Sequence, residues 1–408
     1  MSIGVSEQVM LEVVRVAVTF VLGLGACLYL APRLAEAARR YGIVDAPDGS
    51  LKTQDAPVAY LGGLAVYIAV LLSLALALPF GEAQPAESPD LFRDPQVLAM
   101  LLAGTLFMSL GLLDDLSRLS VRDKLLGQFL AVAVLLKAGV SIQLVEMQEP
   151  VQWALSALWI LACANAVNLL DVHDGLAVTV AGVSSLGFAV LGLSTGDLRM
   201  ALIGAALAGA CWGFLGVNRA PAQQYLGDCG SLFIGGLLGM LALMGRYDGG
   251  SGLGRLIAPI AFMALPFAEV AQLILARLRL GLNPFRGSRH HIAHRLGVLG
   301  LSAKQVPLLC GLIQLGFVGG ALFGLRHGAK AELALAVTWV VACGVLLFLP
   351  AEEPKGDDRE QESQAGDPGE QPIGVIEDDR PPAQSGFKAG KDPGGIGRPT
   401  ANHHALGF

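Results

Sequence analysis

The sequence predicts an all-α, polytopic helical membrane protein, and three observations support this fold class. Hydrophobic residues make up 53% of the 408 residues and charged residues only 15%, whereas a soluble domain carries about 25% charged residues. About eleven stretches approach the roughly 20 apolar residues that cross a bilayer. Period-2 alternation is absent, and backbone groups in lipid must be satisfied within their own segment, so each stretch is expected to be a helix.

The predicted spans follow one another along the first 350 residues. A cleaved signal peptide is the alternative interpretation of the first, but no Lys or Arg precedes Arg15 and apolar sequence continues past Cys27. The spans are expected at 10–31, 59–80, 96–113, 124–142, 151–170, 176–194, 198–217, 231–248, 255–278, 304–325 and 331–350.

The distribution of basic residues predicts the orientation in the membrane. Lys and Arg are retained on the cytoplasmic side. They concentrate in the connections that follow odd-numbered spans, such as 33–52, 118–124 and 277–304. We therefore expect an N-terminus outside, these connections in the cytoplasm, and a cytoplasmic C-terminus after the eleventh span.

The composition changes at about residue 351. Pro, Gly, Asp, Glu, Gln and Ser dominate 351–408, and such a segment buries too little apolar surface to offset the entropy of ordering. The sequence thus predicts a transmembrane domain at 1–350 and a disordered cytoplasmic tail at 351–408.

Charge and cysteine usage exclude other classes. A net charge of -6 gives no electrostatic basis for binding a nucleic-acid backbone, so no nucleic-acid partner is expected. The six cysteines are scattered singly, without a C-x-x-C pair, which argues against a disulfide framework and a zinc knuckle.

Residues able to carry chemistry recur at span ends on the predicted cytoplasmic face. Asp114 and Asp115 close the third span and form either a paired carboxylate, for a divalent cation or a proton, or a solvated turn. Lys124 follows one loop later and is either a contact for a phosphate oxygen or a snorkelling anchor.

Polar residues recur at every third position where the fifth span ends, namely Asn165, Asn168, Asp171 and Asp174. On a helix of 3.6 residues per turn they form one slowly turning stripe. A polar stripe facing lipid would be costly, so the pattern predicts a lined cavity, with interhelical hydrogen bonding as the alternative. His173 lies off the stripe.

The eighth span begins within 227–231, where Asp228 and Ser231 are the polar side chains. Backbone N–H groups at a helix start attract phosphate oxygens. Asp228 would repel a phosphate unless a cation lay between them, and Mg²⁺, or Mn²⁺ in its place, is the expected bridge. Simple capping of the helix by Asp228 and Ser231 is the alternative.

The segment 284–296 concentrates histidine and arginine after the ninth span. Zinc ligation is conceivable, but no cysteine lies nearby, and neighbouring arginines repel Zn²⁺ and attract phosphate, so an anion site is expected. The residues concerned are Arg289, His290, His291, His294 and Arg295.

Together these segments predict an enzyme. Carboxylates for Mg²⁺ and cations for phosphate are the parts of phosphoryl transfer, in which positioning and charge neutralisation supply most of the catalysis. Their position at the bilayer boundary indicates that one reactant is a lipid.

At these residues the sequence resembles the polyprenyl-phosphate N-acetylhexosamine-1-phosphate transferase family, bacterial integral membrane enzymes that include the undecaprenyl-phosphate N-acetylglucosamine-1-phosphate transferases. The resemblance covers roughly residues 35–310 in matching order. It rests on the motifs at 44–48, 57–64, 114–115, 165–177, 218–231 and 291–302.

The resemblance implies that undecaprenyl phosphate attacks the β-phosphorus of a UDP-N-acetylhexosamine and releases UMP. The product would be a polyprenyl-diphosphate sugar for cell-envelope glycan synthesis. The family also implies the bacterial inner membrane, with the active site on its cytoplasmic face. The sequence leaves the oligomeric state open, a homodimer included.

Roles carried over from the family fall into two sets. Asp228 resembles the Mg²⁺ ligand, Asp171 and Asp174 match carboxylates that complete the metal and nucleotide site, and Asp114 and Asp115 match the acidic pair that engages or deprotonates the lipid phosphate. The resemblance implies that Tyr225 stacks on uracil. The substrate-binding set is Lys52, Lys124, Asn168, Asn218, Tyr225, Arg289, His291, His294 and Arg295.

The sequence departs from the family pattern at Val172, His173 and Ala293, which leaves the identity of the sugar open. Within the family, a phospho-N-acetylmuramoyl-pentapeptide transferase is the alternative. A secondary transporter and an inactive membrane scaffold are the alternatives from other classes.

Overall fold

A computed structural model describes residues 2–45, 57–77, 93–117, 119–142, 147–247, 254–279 and 291–348. Over these ranges the chain is almost entirely helical, as predicted. The elements are α1 (Ser2–Arg40), β1 (Val44–Asp45), β2 (Val58–Ala59), α2 (Gly62–Ala77), α3 (Pro95–Ser117), α4 (Val121–Lys137), α5 (Glu149–Leu170), α6 (Leu176–Thr195), α7 (Leu198–Asn218), α8 (Gly227–Met244), α9 (Gly254–Phe262), α10 (Ala264–Arg279), α11 (Ile292–Val298), α12 (Gln305–His327) and α13 (Ala329–Phe348).

Each predicted span coincides with a helix or a helix pair. Among the described residues, seven helices are long and apolar enough to cross a membrane, or eight if the bent pair α9 and α10 counts as one span. This confirms a multi-pass helical membrane protein. The count of about eleven is not confirmed: α2 has only 16 residues and α4 only 17, and α13 is not among the helices found long and apolar enough. The orientation stays a prediction, and the tail at 351–408 lies outside the described residues.

The helices α6, α7 and α8 form the centre of the bundle. In the most apolar stretch of α7, 78% of the residues are buried, compared with 22% for α1. On its two sides α7 packs against α1 and α6, while α8 packs against α3 and α5. The start of α8 is therefore surrounded by the ends of other helices.

A two-stranded antiparallel sheet is the exception to the all-α prediction in the described chain. Val44 pairs with Ala59, and Ala59 also bridges Gln224 in parallel. The amide of Tyr225 donates to the Ala59 carbonyl at 2.9 Å. Such pairing satisfies backbone groups between helices, and it places the segments that precede α2 and α8 side by side.

Two glycines allow the backbones around the start of α8 to touch. A Cβ atom on Gly63 of α2 would lie 2.0 Å from the Gly230 nitrogen, and one on Gly111 of α3 would lie 2.2 Å from the Asp228 carbonyl oxygen. Any side chain at either position would separate the helices. The end of α3 can thus meet the first turn of α8 directly.

The predicted span 255–278 is not one straight helix, and this is a correction. The chain bends by 81° between α9 and α10. Pro266 has no N–H, and its ring conflicts with the carbonyl four residues earlier, which belongs to Phe262. Gln314 of α12 accepts from the Leu265 amide at 3.0 Å and donates to the carbonyls of Phe262 at 2.9 Å and Ala261 at 3.2 Å.

Trp339 of α13 completes this arrangement, because its Nε1 donates to the Ala264 carbonyl at 3.1 Å. Side chains from two other helices therefore satisfy backbone groups that the bend releases. We call this region, Ala261 to Leu265 with Gln314 and Trp339, the bend.

Candidate active site

The start of α8 is capped by an aspartate from another helix. Asp115, near the end of α3, accepts from the Asp228 amide at 2.8 Å and from the Cys229 amide at 3.0 Å. A carboxylate at a helix N-terminus satisfies free N–H groups and complements the helix dipole. These two amides, expected from the sequence to meet phosphate oxygens, therefore bind Asp115.

Lys124, in the first turn of α4, lies between two carboxylates. Its Nζ donates to Asp114 at 2.8 Å and also contacts the Asp228 carboxylate. The other Asp114 oxygen accepts from the Leu119 amide at 2.7 Å. Lys124 thus forms ion pairs with the acids at the ends of α3 and α8, which its interpretation as a snorkelling anchor does not explain.

The polar stripe on α5 divides into two parts. Asn168 donates to the Asp228 carboxylate at 2.7 Å and to the Ser231 hydroxyl at 2.9 Å. Asn165 instead donates to the fully buried Gln128 of α4 at 2.8 Å. Both contacts are interhelical hydrogen bonds, the alternative interpretation of the stripe: Asn165 links α5 to α4, while Asn168 links α5 to the first turn of α8. The lined cavity stays a prediction.

Asn218 holds the turn after α5 against the loop before α8. Its side chain accepts from the Gly175 amide at 3.0 Å and donates to the Gln224 carbonyl at 2.9 Å. Asp174 in the same turn accepts from the Ala222 amide at 2.9 Å. Gly175 has a φ of 75°, a conformation that glycine adopts at little cost. Asn218, predicted to bind the nucleotide, uses its amide to join these two loops.

Asp171 lies just beyond α5, among the other acids. Desolvation raises its pKa well above the ordinary value, and the charges of Asp228, Asp115 and Asp174 raise the pKa further, while a hydrogen bond from the Gly227 backbone opposes the shift. Like charges at short range disfavour ionisation. The direction of this shift indicates that negative charge is crowded here.

We call Asp114, Asp115, Asp171, Asp174 and Asp228 the carboxylate cluster. Among the described residues, Lys124 is the cation for which ion pairs with this cluster are seen. By charge and by oxygen donors the cluster fits a hard divalent cation such as Mg²⁺. In the described chain, however, no three acidic, histidine or cysteine side chains form a ready-made ligand set.

Two partly exposed tyrosines lie beside the cluster. The ring centroids of Tyr60 and Tyr225 are 6.2 Å apart, with an angle of 63° between the rings. Burial and the nearby Asp45 raise the pKa of Tyr60 to about 12, and burial and the nearby Asp174 raise the pKa of Tyr225 to about 12. Both hydroxyls therefore stay protonated at neutral pH. Tyr225 belongs to the predicted substrate-binding set and Tyr60 does not. The only signal for Tyr60 in the sequence is its position in the 57–64 motif.

The predicted histidine and arginine residues lie at the start of α11. His291 and Arg295 are buried, His294 is exposed, and the two histidine rings are 6.0 Å apart. His291 contacts Glu269 of α10 rather than the carboxylate cluster. Glu269 is absent from the predicted site residues, although a lone acid inside a predicted span is itself a functional signal. Lys52, Arg289 and His290 lie outside the described residues.

Comparison with known proteins gives consistent matches. A sequence model described as glycosyl transferase family 4 matches residues 97–246. A protein of Bacillus subtilis named as an undecaprenyl-phosphate N-acetylglucosaminyl 1-phosphate transferase is 28% identical over 339 residues, 81% of this chain and 90% of the relative.

Two further relatives are more similar over shorter alignments. One from Streptomyces coelicolor, named as a glycosyltransferase, is 33% identical over 325 residues, 78% of this chain and 72% of the relative. A phospho-N-acetylmuramoyl-pentapeptide-transferase of Moorella thermoacetica is 32% identical over 226 residues, 50% of this chain and 69% of the relative. The first of these alignments extends over most of both chains.

Proposed function

The chain belongs to glycosyl transferase family 4, and on that premise we propose that it is a membrane phosphotransferase that moves N-acetylhexosamine 1-phosphate from a UDP-sugar to undecaprenyl phosphate. This membership confirms the resemblance found in the sequence. The Bacillus subtilis relative, aligned over 90% of its length, supports a polyprenyl phosphate as acceptor. The observation that carries the proposal is the meeting of acids where apolar helices end: Lys124 pairs with Asp114 and Asp228. Asp115 binds the first amides of α8, and Asp171 lies within reach of the charges of the other acids.

In the proposed reaction, an oxygen of the lipid phosphate attacks the β-phosphorus of the UDP-sugar. A new P–O bond forms there as the bond from the β-phosphorus to the oxygen of the α-phosphate breaks. UMP leaves with that electron pair, and the lipid carries the sugar on a diphosphate. The number of phosphoanhydride bonds is unchanged, so the reaction needs no further energy source.

The residues that would hold Mg²⁺ are Asp228 and Asp171. When bound there, Mg²⁺ supplies neutralisation of the charge that develops on the phosphate oxygens. Asn168 orients the Asp228 carboxylate through its 2.7 Å hydrogen bond. Asp115 holds the first turn of α8, and with it the Asp228 backbone, in a fixed position. Preorganised groups of this kind do not have to rearrange during the reaction.

The substrates would approach the cluster from two sides. Asp114 and Lys124 lie at the ends of apolar helices, where a lipid phosphate can reach them. Tyr225 offers an aromatic face for a uracil ring, and Asn218 fixes the loop that precedes it. His291, His294 and Arg295 would contact the diphosphate and the sugar of the donor, with Arg289 as a further cation for phosphate. Lys52 would contact the nucleotide. We propose that this site faces the cytoplasm at a bacterial inner membrane.

A phospho-N-acetylmuramoyl-pentapeptide transferase is the second candidate, favoured by the Moorella thermoacetica relative. That alignment covers only 50% of this chain, compared with 81% for the Bacillus subtilis relative. A transporter is less well supported, because the acids of the carboxylate cluster lie at helix ends rather than within interrupted helices.

The test is UMP release by the purified full-length protein in lipid nanodiscs containing undecaprenyl phosphate. A panel of UDP-N-acetylhexosamines and UDP-N-acetylmuramoyl-pentapeptide is compared, each with MgCl₂ and with EDTA. We expect release from a UDP-N-acetylhexosamine with MgCl₂ alone. Release only from the pentapeptide donor would support the second candidate, and no release from any donor would overturn the proposal.

A further inference from the structure

A carboxylate outside all the motifs is buried beside His291. Glu269 of α10 is only 1% exposed. One of its oxygens lies 2.6 Å from His291 Nδ1, and the other accepts from the Ile292 amide at 3.0 Å. A single side chain thus binds both the His291 ring and the first turn of α11.

This contact determines which ring nitrogen carries a hydrogen. Ionised carboxylate oxygens only accept hydrogen bonds, so Nδ1 of His291 must be the donor. The partner of one imidazole nitrogen sets the role of the other. Nε2 is therefore the nitrogen that His291 can offer to a ligand, in a ring orientation that Glu269 fixes.

Glu269 follows a segment of backbone that side chains from two other helices hold in place. It lies on α10 directly after the bend, where Gln314 and Trp339 hold the chain. The negative charge of Glu269 interacts electrostatically with the guanidinium groups of Arg277 and Arg295. A buried carboxylate near two arginines is tolerated because its charge is compensated.

We propose that Glu269 is a positioning residue, which holds His291 with Nδ1 protonated so that the Nε2 lone pair accepts from a hydroxyl of the sugar nucleotide, beside the diphosphate that Arg295 binds. The identity of that ligand rests on the proposed function. The pairing of Glu269 with His291 does not, and it can be tested without turnover.

The first experiment is NMR of the full-length protein labelled with ¹⁵N-histidine. The chain has only seven histidines, and the His291 signals are identified by their loss in His291→Gln. Glu269→Gln keeps the size of the side chain. The Ile292 amide can only donate, so the glutamine oxygen faces it and the glutamine NH₂ faces Nδ1, which must then accept.

We expect an Nδ1-protonated His291 in the wild type and an Nε2-protonated ring in Glu269→Gln. The matched control is Glu332→Gln, because Glu332 is equally buried, at 2% exposed, but lies against Gly254 at the start of α9. This control should leave the His291 signals unchanged. Identical His291 signals in the wild type and Glu269→Gln would overturn the proposal.

The second experiment measures UMP release. Loss of a charge-assisted hydrogen bond that orients a binding group should raise KM for the UDP-sugar by about tenfold, with KM for the lipid phosphate unchanged. Because Glu269 acts through His291, the double variant Glu269→Gln/His291→Gln should be no worse than His291→Gln alone. Additive effects would mean a general structural role and would contradict the proposal.

If Glu269→Gln does not fold, Glu269→Asp serves instead. It keeps the carboxylate on a shorter side chain and should retain part of the Nδ1-protonated signal. An inactive wild-type protein with the expected His291 signals would overturn the proposed function but not the pairing. An active protein whose His291 is protonated on Nε2 rather than Nδ1 would overturn the pairing but not the proposed function.

Discussion

The carboxylate cluster and the bend both place polar groups inside an apolar helical bundle, but they differ in how completely those groups are paired. At the bend, Gln314 binds three backbone groups. In the cluster, Lys124 pairs with two of the five carboxylates, and the charges of three of them raise the pKa of Asp171. One region is a satisfied network, and the other carries excess negative charge.

This difference separates stability from function. A buried polar network stabilises a fold when every member has a partner. Crowded like charges cost stability, and groups perturbed in this way concentrate at functional sites. We therefore expect substitutions in the cluster to reduce activity with little loss of stability, and substitutions at the bend to do the opposite.

Asp228→Asn should have the largest effect. In our proposal this charge holds Mg²⁺ against the phosphates, so removing it should lower the rate of UMP release by about a thousandfold. Lys124 keeps its ion pair with Asp114, so the melting temperature should change little. The matched exchange Asp197→Asn, at the start of α7, should leave the rate unchanged. An equal loss of rate in Asp228→Asn and Asp197→Asn would contradict the expectation that activity depends on the carboxylate cluster in particular.

Gln314→Leu should have the next largest effect, on stability rather than chemistry. It leaves the Leu265 amide and two carbonyls at the bend without their partner, which should lower the free energy of unfolding by about 3 kcal/mol. Ser184→Ala is the control, because it removes a hydroxyl that contacts Gln314 at 3.1 Å and the Val180 carbonyl at 3.1 Å but leaves the three backbone partners of Gln314 in place. Thermal unfolding in nanodiscs measures both. A melting temperature equal to the wild type would contradict the account of the bend.

Lys124→Met should have a moderate effect that depends on Mg²⁺. Without the lysine, repulsion among the carboxylates rises, so the melting temperature should fall in EDTA and recover as MgCl₂ is added. The rise with MgCl₂ should be larger than in the wild type. Choline chloride at equal ionic strength controls for screening, and if it restores stability as well as MgCl₂ does, a specific cation site is not needed.

The tyrosine pair should give the smallest effect. Because the folded-state pKa values of Tyr60 and Tyr225 are raised to about 12, above the ordinary value near 10, the folded state keeps protons that the unfolded state loses. Their contribution to stability is fully present below pH 10 and is lost as the pH rises towards 12. The double variant Tyr60→Phe/Tyr225→Phe should show a weaker fall in melting temperature above pH 10. If the melting temperature fell equally steeply in the wild type and the double variant, the pKa of neither tyrosine would be raised in the folded state.

Local patterns in the sequence predicted most of the helices. Apolar runs located each span, and the three-residue spacing on α5 indicated a polar stripe. At 255–278 the length and apolar character of the run predicted one straight span. These two features take no account of Pro266, which lacks an amide hydrogen and conflicts with the helix backbone, so the bend was not predicted. Only the position of Gln314, on a helix that follows later in the chain, explains how the bend is tolerated.

Such local patterns could not predict contacts between residues that lie far apart in the sequence. The sequence predicted that Asp115 and Asp228 lie on one face, but not that Asp115 caps α8. The role of Glu269 depends on α11 folding back to α10, which no periodicity encodes. Pairing across such separations is fixed by tertiary packing, so it becomes visible only in three dimensions.

Binding of Mn²⁺ to the purified protein without substrates tests the central claim most directly. Electron paramagnetic resonance in nanodiscs should detect about one bound Mn²⁺ per chain that Mg²⁺ displaces. The signal of the bound ion should be lost in Asp228→Asn and Asp171→Asn and retained in Asp197→Asn. Equal Mn²⁺ binding by all these variants would contradict the claim that the carboxylate cluster holds the cation.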